Sequence, residues 1–264
     1  MRAAAAYRSQ MLLDKRWQPI MVLLLGVLIL LSLTGGILLA AIAARLTRAH
    51  LAPNSAALLT LVITVLGFHG AALIWVHQFL KLHEVTWGEA FGFARKNYGE
   101  CALIAALTLP VALGGMVLLG NLSDRVLRSL YEYWHWKWLK PGVQSAVQLL
   151  QQDWQIHLLI VQGFVAIILA PVAEEVLFRG VIYTAIKQRG HHQLALWSTA
   201  FLFALIHFYP VGFLSLILLA VLLVAVYERT KNLLAAILLH SAFNAVNFAL
   251  IVAHPKWAED LFKT

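Results

Sequence analysis

Three short blocks of the sequence place chemically active side chains within apolar stretches. The blocks are EEVLFR at residues 174–179, FALIH at 203–207 and HSAFN at 240–244. An ionised side chain in the hydrocarbon core of a bilayer costs at least about 2.5–3.5 kcal/mol on insertion scales. An acid at such a position therefore needs either a partner or a chemical purpose.

The first block contains two glutamates and an arginine. Glu175 and Arg179 are four residues apart, so they lie on one helical face, where their charges neutralise each other. Glu174 lies about 100° round the helix and five residues from the arginine, so the pattern gives it no partner within its helix. We predict that Glu174 is a general base. For Glu175 and Arg179 two interpretations stay open: a buried ion pair that only fixes helix packing, or a direct part in catalysis.

The second and third blocks supply nitrogen-containing side chains. Each histidine alone is typical of a hydrogen-bonded packing residue, but His207, His240 and Asn244 together with Glu174 form a set suited to amide hydrolysis. Glu174 with His207 would hold and deprotonate a water molecule, and His240 with Asn244, four residues apart, would donate hydrogen bonds to the oxyanion. If their helices alternate across the membrane, the acid, His207 and Asn244 lie at a similar depth of about 20 Å.

A zinc site is the alternative chemistry for the same residues. Glu174, His207 and His240 would satisfy a three-ligand catalytic site. The helical HExxH spacing is absent, however, and Asn244 is a poor zinc ligand. We therefore predict water activation without a metal or another cofactor, with zinc left open.

The elements that position these residues are predicted to be membrane helices. Hydrophobic residues make up 61% of the chain and its mean hydropathy is +0.79, which does not fit a soluble surface. About 20 helical residues cross a hydrocarbon core of about 30 Å, and lipid offers the backbone no other partner. The sequence thus predicts an all-α, polytopic transmembrane helical bundle of about seven or eight helices with interfacial segments, and the lipid bilayer as a partner.

The predicted helices are bounded by loops of distinct character. Residues 20–44 are predicted as a retained anchor, because this run is longer than the core of a signal peptide. Residues 131–140 mix aromatic and cationic side chains, which is typical of an interfacial helix or turn. Residues 85–97 are either another surface-lying piece or a solvated connector, and Cys101 is predicted to be a buried thiol. The seven predicted helices are 20–44, 56–80, 101–120, 156–187, 194–208, 211–227 and 233–252.

The residues behind the formal net charge of +8 are interpreted as signals of how the chain is oriented in the membrane. Lysines and arginines lie between the apolar runs rather than in one basic patch, so no nucleic-acid partner is predicted. Their distribution over alternate loops favours an N-terminus on the inside. We expect an integral, multi-pass protein of a prokaryotic cell membrane.

The three blocks, in this order, resemble the EExxxR, FxxxH and HxxxN motifs of the CAAX prenyl endopeptidase family, also called CPBP or Abi. The resemblance covers about residues 155–253. It divides the chain into N-terminal transmembrane helices with an interfacial segment at 1–154, catalytic core helices at 155–254 and a short tail at 255–264. It implies a helical core with a cavity open to one leaflet, and endoproteolysis near the C-terminus of a membrane-tethered protein or peptide substrate.

The resemblance also implies residue roles. By the family's pattern Glu174 looks like the base, assisted by His207, while His240 and Asn244 look like the oxyanion donors. Glu175 and Arg179 look like supporting residues. Members are often labelled metalloproteases, although the mechanism is also described as glutamate-activated water without metal. The founding substrates are prenylated CAAX proteins, but prokaryotic relatives are linked to peptide maturation, bacteriocin self-immunity and membrane-protein processing, and the sequence does not choose among them.

Two functions without catalysis compete with this interpretation. A proton-coupled transporter also uses intramembrane Glu, Arg and His residues, and it predicts repeat symmetry or broken helices in matching halves. A catalytically silent scaffold or bacteriocin-immunity protein predicts that the polar set can be replaced without loss of function.

Overall fold

The computed structural model describes residues 17–47, 53–135 and 156–253. Within these ranges all regular structure is helical, and six helices are long and apolar enough to cross a membrane. The prediction of an all-α polytopic bundle is confirmed.

Eight α-helices follow one another along the described residues, and each of the seven predicted helices is among them. Two of the eight, α2 and α5, run without a break but contain π-helical segments. The helices are α1 (Pro19–Thr47), α2 (Pro53–Val65, π segment Leu66–Gly70, Ala71–Leu82), α3 (Trp87–Ala90), α4 (Tyr98–Trp134), α5 (Ile156–Phe164, π segment Val165–Leu169, Ala170–Glu175, π segment Val176–Tyr183, Thr184–Lys187), α6 (His192–Ile206), α7 (Phe213–Thr230) and α8 (Leu233–Ala253).

Two helices differ in length from the prediction. Helix α4 has 37 residues, because it continues through the more polar residues 121–134. It therefore includes the start of the predicted interfacial segment 131–140, of which residues 136–140 lie outside the described residues. Helix α6 has 15 residues, a length of about 22 Å, which is shorter than a hydrocarbon core of about 30 Å. The depth comparison for His207 assumed a crossing helix, and the length of α6 does not support that assumption.

The chain divides by its contacts into two compact units. The first combines Met1–Lys96 with Gln155–His191, and the second combines Asn97–Trp154 with His192–Thr264. This division follows packing, whereas the predicted boundary at 154 follows the motifs and stays a prediction.

In the first unit, α1 packs along α2. The two backbones approach most closely at Gly36 and Gly67, where a Cβ atom added to Gly67 would lie 2.8 Å from the Gly36 Cα. Such small-residue contacts bring membrane helices close together. The backbone N–H of Trp17, just before α1, donates to the Gln188 side chain at 2.8 Å, which ties the start of α1 to the end of α5.

The connection at 85–97 is folded rather than simply solvated. Thr86 and Glu89 form a reciprocal capping box at the start of α3. Phe91 is fully buried, and its ring lies where a side chain on Gly180 of α5 would be, 2.4 Å from an added Cβ.

In the second unit, α4 packs against α7 and α8, and α7 also packs against α6. A polar contact joins three helix ends: Asn232 donates from Nδ2 to Asn97 Oδ1 at 2.9 Å, and Asn97 donates to the Thr230 carbonyl at 3.1 Å. Asn232 Oδ1 accepts from the Leu234 N–H at 3.0 Å, so Asn232 caps α8 and sets where that helix begins. Cys101 is buried, as predicted.

Candidate active site

The shape of α5 follows from a proline in the middle of a membrane helix. Pro171 has no N–H to donate to the carbonyl of Ile167, and its ring crowds that carbonyl. The π segment Val165–Leu169 widens the helix at this point. Such segments recur at functional sites. The motif glutamates follow one turn later, at the end of Ala170–Glu175.

Glu175 and Arg179 form the ion pair that their spacing predicts. Arg179 donates from Nη1 to Glu175 Oε1 at 2.9 Å, and the two side chains are 1% and 0% exposed. The Arg179 guanidinium also interacts electrostatically with Glu174. The expectation for Glu174 did not include this interaction with Arg179. It assumed a regular α-helix, whereas residues 176–183 form a π segment, in which side chains five apart come closer together.

Glu174 also faces a histidine that the sequence analysis did not select. His69, in the π segment Leu66–Gly70 of α2, has its Nε2 atom 3.9 Å from Glu174 Oε1, and each side chain is 14% exposed. This segment of α2 packs against the Ala170–Glu175 segment of α5, which brings the two residues together. The first unit therefore holds a group of four residues, which we call the acidic group after its two glutamates. Its members are His69, Glu174, Glu175 and Arg179.

The signal for His69 was present but ambiguous. It is an ionisable residue inside the apolar run 56–80, which by itself indicates a functional position. The same run contains His77, whose ring instead accepts a hydrogen bond from Trp87. Sequence alone offered no way to choose between the two histidines.

The second unit brings the predicted imidazoles together around one phenyl ring. The Phe203 ring lies 4.7 Å from the His207 ring and 5.8 Å from the His240 ring, measured between centroids. Phe203 is fully buried and His240 is 3% exposed. The phenylalanine of the FxxxH block therefore packs against both histidines, from α8 and from the end of its own helix.

The end of α6 holds the His207 ring in a defined state. The His207 N–H bonds to the Ala204 carbonyl, so the Phe203 carbonyl is left without its usual backbone donor. The His207 side chain occupies that position, with Nδ1 at 2.6 Å from the Phe203 oxygen. Because a carbonyl only accepts, Nδ1 carries the proton, and in the neutral ring Nε2 presents a lone pair.

His240 and Asn244 lie on α8, one turn apart as predicted. His240 is buried and Asn244 is half-buried. The Asn232 cap fixes the start of this helix, and the edge-to-face contact with Phe203 fixes the His240 ring. The second unit thus contains an imidazole group of His207, His240 and Asn244. That this group shares a pocket with the acidic group stays a prediction.

A metal centre requires several ligand side chains close together. Among the described residues, no group of three or more histidine, cysteine, aspartate or glutamate side chains could hold a metal ion. A catalytic zinc needs three protein ligands. Water activation without a metal stays a prediction, with zinc at Glu174, His207 and His240 as its alternative.

Comparison with known families bears on the motif-bearing part of the chain. Residues 156–246 match the family model described as Type II CAAX prenyl endopeptidase Rce1-like. This segment is similar to that family. It spans about a third of the chain and contains all three motif blocks, so the resemblance predicted from them is confirmed.

The Rce1-like match supports peptidase activity of the general CAAX-protease type. Together with six helices able to span a membrane, it supports an integral, multi-pass membrane protein that acts in a lipid environment. Comparisons with curated proteins and with solved structures gave no match.

Proposed function

We propose that this protein is an intramembrane endopeptidase that hydrolyses a peptide bond of a membrane-tethered substrate with water activated by Glu174. One observation carries the proposal: the Rce1-like segment 156–246 contains Glu174, His207, His240 and Asn244 in the order of the family's motifs. By analogy with the family name, the substrate class is a peptide held at the membrane near its C-terminus.

The proposed reaction assigns a proton path to the acid. The Glu174 carboxylate takes a proton from water as the water oxygen attacks the scissile carbonyl carbon. The same proton then passes to the amide nitrogen as the carbon–nitrogen bond breaks, which returns Glu174 to its ionised form. The products are a carboxylic acid and an amine, with no covalent enzyme intermediate.

The imidazole group is assigned to charge stabilisation and water binding. His240 and Asn244 donate hydrogen bonds to the oxyanion, and such donors act strongly where water is excluded. His207 accepts a hydrogen bond from the attacking water through Nε2, in keeping with its Nδ1 contact to the Phe203 carbonyl. The mechanism requires the acidic and imidazole groups to act on the same peptide bond.

Glu175 and Arg179 are assigned a supporting role. Their side chains are almost completely buried and bonded to each other, so they are poorly placed to exchange protons with a substrate. The charge of Arg179 also acts on Glu174.

The test is cleavage of membrane-tethered peptides by the purified chain in lipid vesicles. The library contains peptides anchored by a C-terminal isoprenyl cysteine and peptides anchored by a transmembrane helix, and products are identified by mass spectrometry. Wild-type protein is expected to cut internally. Glu174→Gln and His240→Ala are each expected to lose about 100-fold or more of kcat, and His207→Ala is expected to lose activity as well.

The matched control is Glu228→Gln, the same substitution on α7 at a glutamate that pairs with Lys231. It is expected to retain activity. Equal cleavage by wild type and Glu174→Gln would remove the proposed base, and no cleavage of any peptide by wild type would contradict the proposed activity. A chelator arm tests the metal-free chemistry: stoichiometric zinc whose removal abolishes cleavage would overturn it.

A further inference from the structure

We propose that His69 is a positioning residue that orients the Glu174 carboxylate, an inference that rests on the proposed function. Its Nε2 atom lies 3.9 Å from Glu174 Oε1, and both side chains are largely buried at 14% exposure. None of the three motif blocks contains His69, and it precedes the Rce1-like segment.

The backbone around His69 is held firmly enough to aim a side chain. The π segment Leu66–Gly70 packs on α1 and also on the Ala170–Glu175 segment of α5. Gly67, two residues before the histidine, lies directly against the Gly36 backbone. The Phe68 ring meets the His69 ring edge to face at 4.7 Å. A side chain carried by a closely packed backbone orients its partner at little further entropic cost.

The surroundings of the ring select its tautomer. Among the described residues, no hydrogen-bond partner reaches the buried Nδ1 atom of His69. A buried N–H without a partner is more costly than an unfilled acceptor, so in the neutral ring the proton resides on Nε2. The N–H of His69 is therefore on the nitrogen that lies 3.9 Å from Glu174 Oε1.

This contact has a definite effect on the proposed base. A donor directed at Oε1 restricts rotation of the carboxylate, so that the other oxygen is the one presented to the attacking water. At 3.9 Å the two atoms are beyond direct hydrogen-bond distance, and one water molecule can reach both. Catalytic contacts of this kind often tighten only when substrate binds.

The decisive variants change the donor while preserving volume. His69→Phe removes the N–H, and His69→Gln offers an amide N–H at a similar reach. The control is His77→Phe, the same substitution two turns further along α2, away from Glu174. Each variant is purified in lipid vesicles and its kcat, KM and thermal unfolding temperature are measured with a peptide that wild type cleaves.

We expect His69→Phe to lower kcat about tenfold or more with KM unchanged, His69→Gln to recover much of that loss, and His77→Phe to keep wild-type kcat. Unchanged kcat in His69→Phe overturns the inference. Equal losses in the Phe and Gln variants, accompanied by lower unfolding temperatures, also overturn it, because they indicate a structural role.

A second readout does not depend on activity. In protein carrying ¹⁵N-labelled histidine, the His69 signals, assigned by their loss in His69→Phe, are expected to report a protonated Nε2 that shifts in Glu174→Gln. No shift overturns the inference. If wild type cleaves no peptide, the proposed function fails, and this inference fails with it. If wild type cleaves and only the His69 results are negative, this inference fails alone.

Discussion

The Phe203 ring meets the His240 ring edge to face at a centroid distance of 5.8 Å, although the two residues belong to different helices. The same phenyl ring lies 4.7 Å from His207. One fully buried side chain therefore contacts the rings of both His207 and His240. This gives the first residue of the FxxxH block a physical purpose, which is to support two histidines rather than merely to fill space.

Replacing Phe203 should reduce catalysis more than substrate binding. In Phe203→Leu both ring contacts are lost, each worth about 0.5–1.5 kcal/mol beyond the buried area. We expect kcat to fall roughly tenfold with little change in KM. The control is Phe201→Leu on the same helix, where the side chain is 51% exposed, and it should keep wild-type kcat. Wild-type kcat in Phe203→Leu would show that the ring does not orient the histidines.

Removing one partner of the buried ion pair of α5 should destabilise the protein more than removing both partners. Glu175→Gln or Arg179→Met leaves one buried charge without its partner, which costs about 3–5 kcal/mol of stability. The double variant Glu175→Leu with Arg179→Met should be less destabilised than either single variant, because no charge remains to be buried. The measurement is thermal unfolding in lipid nanodiscs, followed by tryptophan fluorescence.

An exposed pair provides the comparison for that experiment. Glu228 lies 28% exposed beside Lys231 on α7, so Glu228→Gln should cost at most about 1 kcal/mol. Similar unfolding temperatures for Glu175→Gln and Glu228→Gln would refute the view that burial makes the first pair sensitive.

Local patterns predicted the helices, the spacing of the motif residues and the Glu175–Arg179 pair, because each depends on residues near in sequence. The seven apolar runs all became helices, since hydropathy records which segments lipid can surround. The His69–Glu174 contact was missed because it joins two helices distant in sequence. The interaction of Glu174 with Arg179 was not predicted, because a periodicity of 3.6 residues per turn does not foresee a π segment. Helix α4 was cut short because residues 121–134 are polar enough to end a hydropathy signal without ending a helix.

Gly180 is predicted to be intolerant of any side chain. A Cβ at this position would lie 2.4 Å from the Phe91 ring, which is fully buried and has little room to move. Gly180→Ala should therefore destabilise the protein by about 1–3 kcal/mol. The double variant Gly180→Ala with Phe91→Leu should lose less free energy of unfolding than the sum of the two single losses. We expect a coupling free energy of about 0.5–3 kcal/mol.

A glycine in open surroundings separates crowding from helix propensity. Nothing lies within 4 Å of a Cβ added to Gly26 in α1, so Gly26→Ala should be neutral or stabilising in the same unfolding assay. If Gly180→Ala behaves like Gly26→Ala, or if its effect simply adds to that of Phe91→Leu, the close packing of Phe91 on Gly180 is refuted.

Tyr209 is expected to make stability depend on pH in the alkaline range. This residue lies in the turn between α6 and α7, just after His207, and its ring covers Gly212. Burial, together with the negative charge of Asp124, raises the pKa of Tyr209 to about 12. In the unfolded chain a tyrosine titrates near about 10.

The sign follows from which state holds the proton more tightly. The folded protein keeps the Tyr209 proton up to a higher pH, so the contribution of this residue to stability is fully present below about pH 10. It is lost as the pH rises through about 12, where deprotonation favours the unfolded chain. The measurement is tyrosinate absorbance at alkaline pH, as the difference between wild type and Tyr209→Phe. We expect a single transition with a midpoint near 12 in that difference. In protein carrying Asp124→Asn the midpoint of the Tyr209 transition should be lower, because the negative charge that raises the pKa of Tyr209 is gone. A midpoint near that of an unfolded tyrosine would mean that the turn after His207 does not shield the phenol.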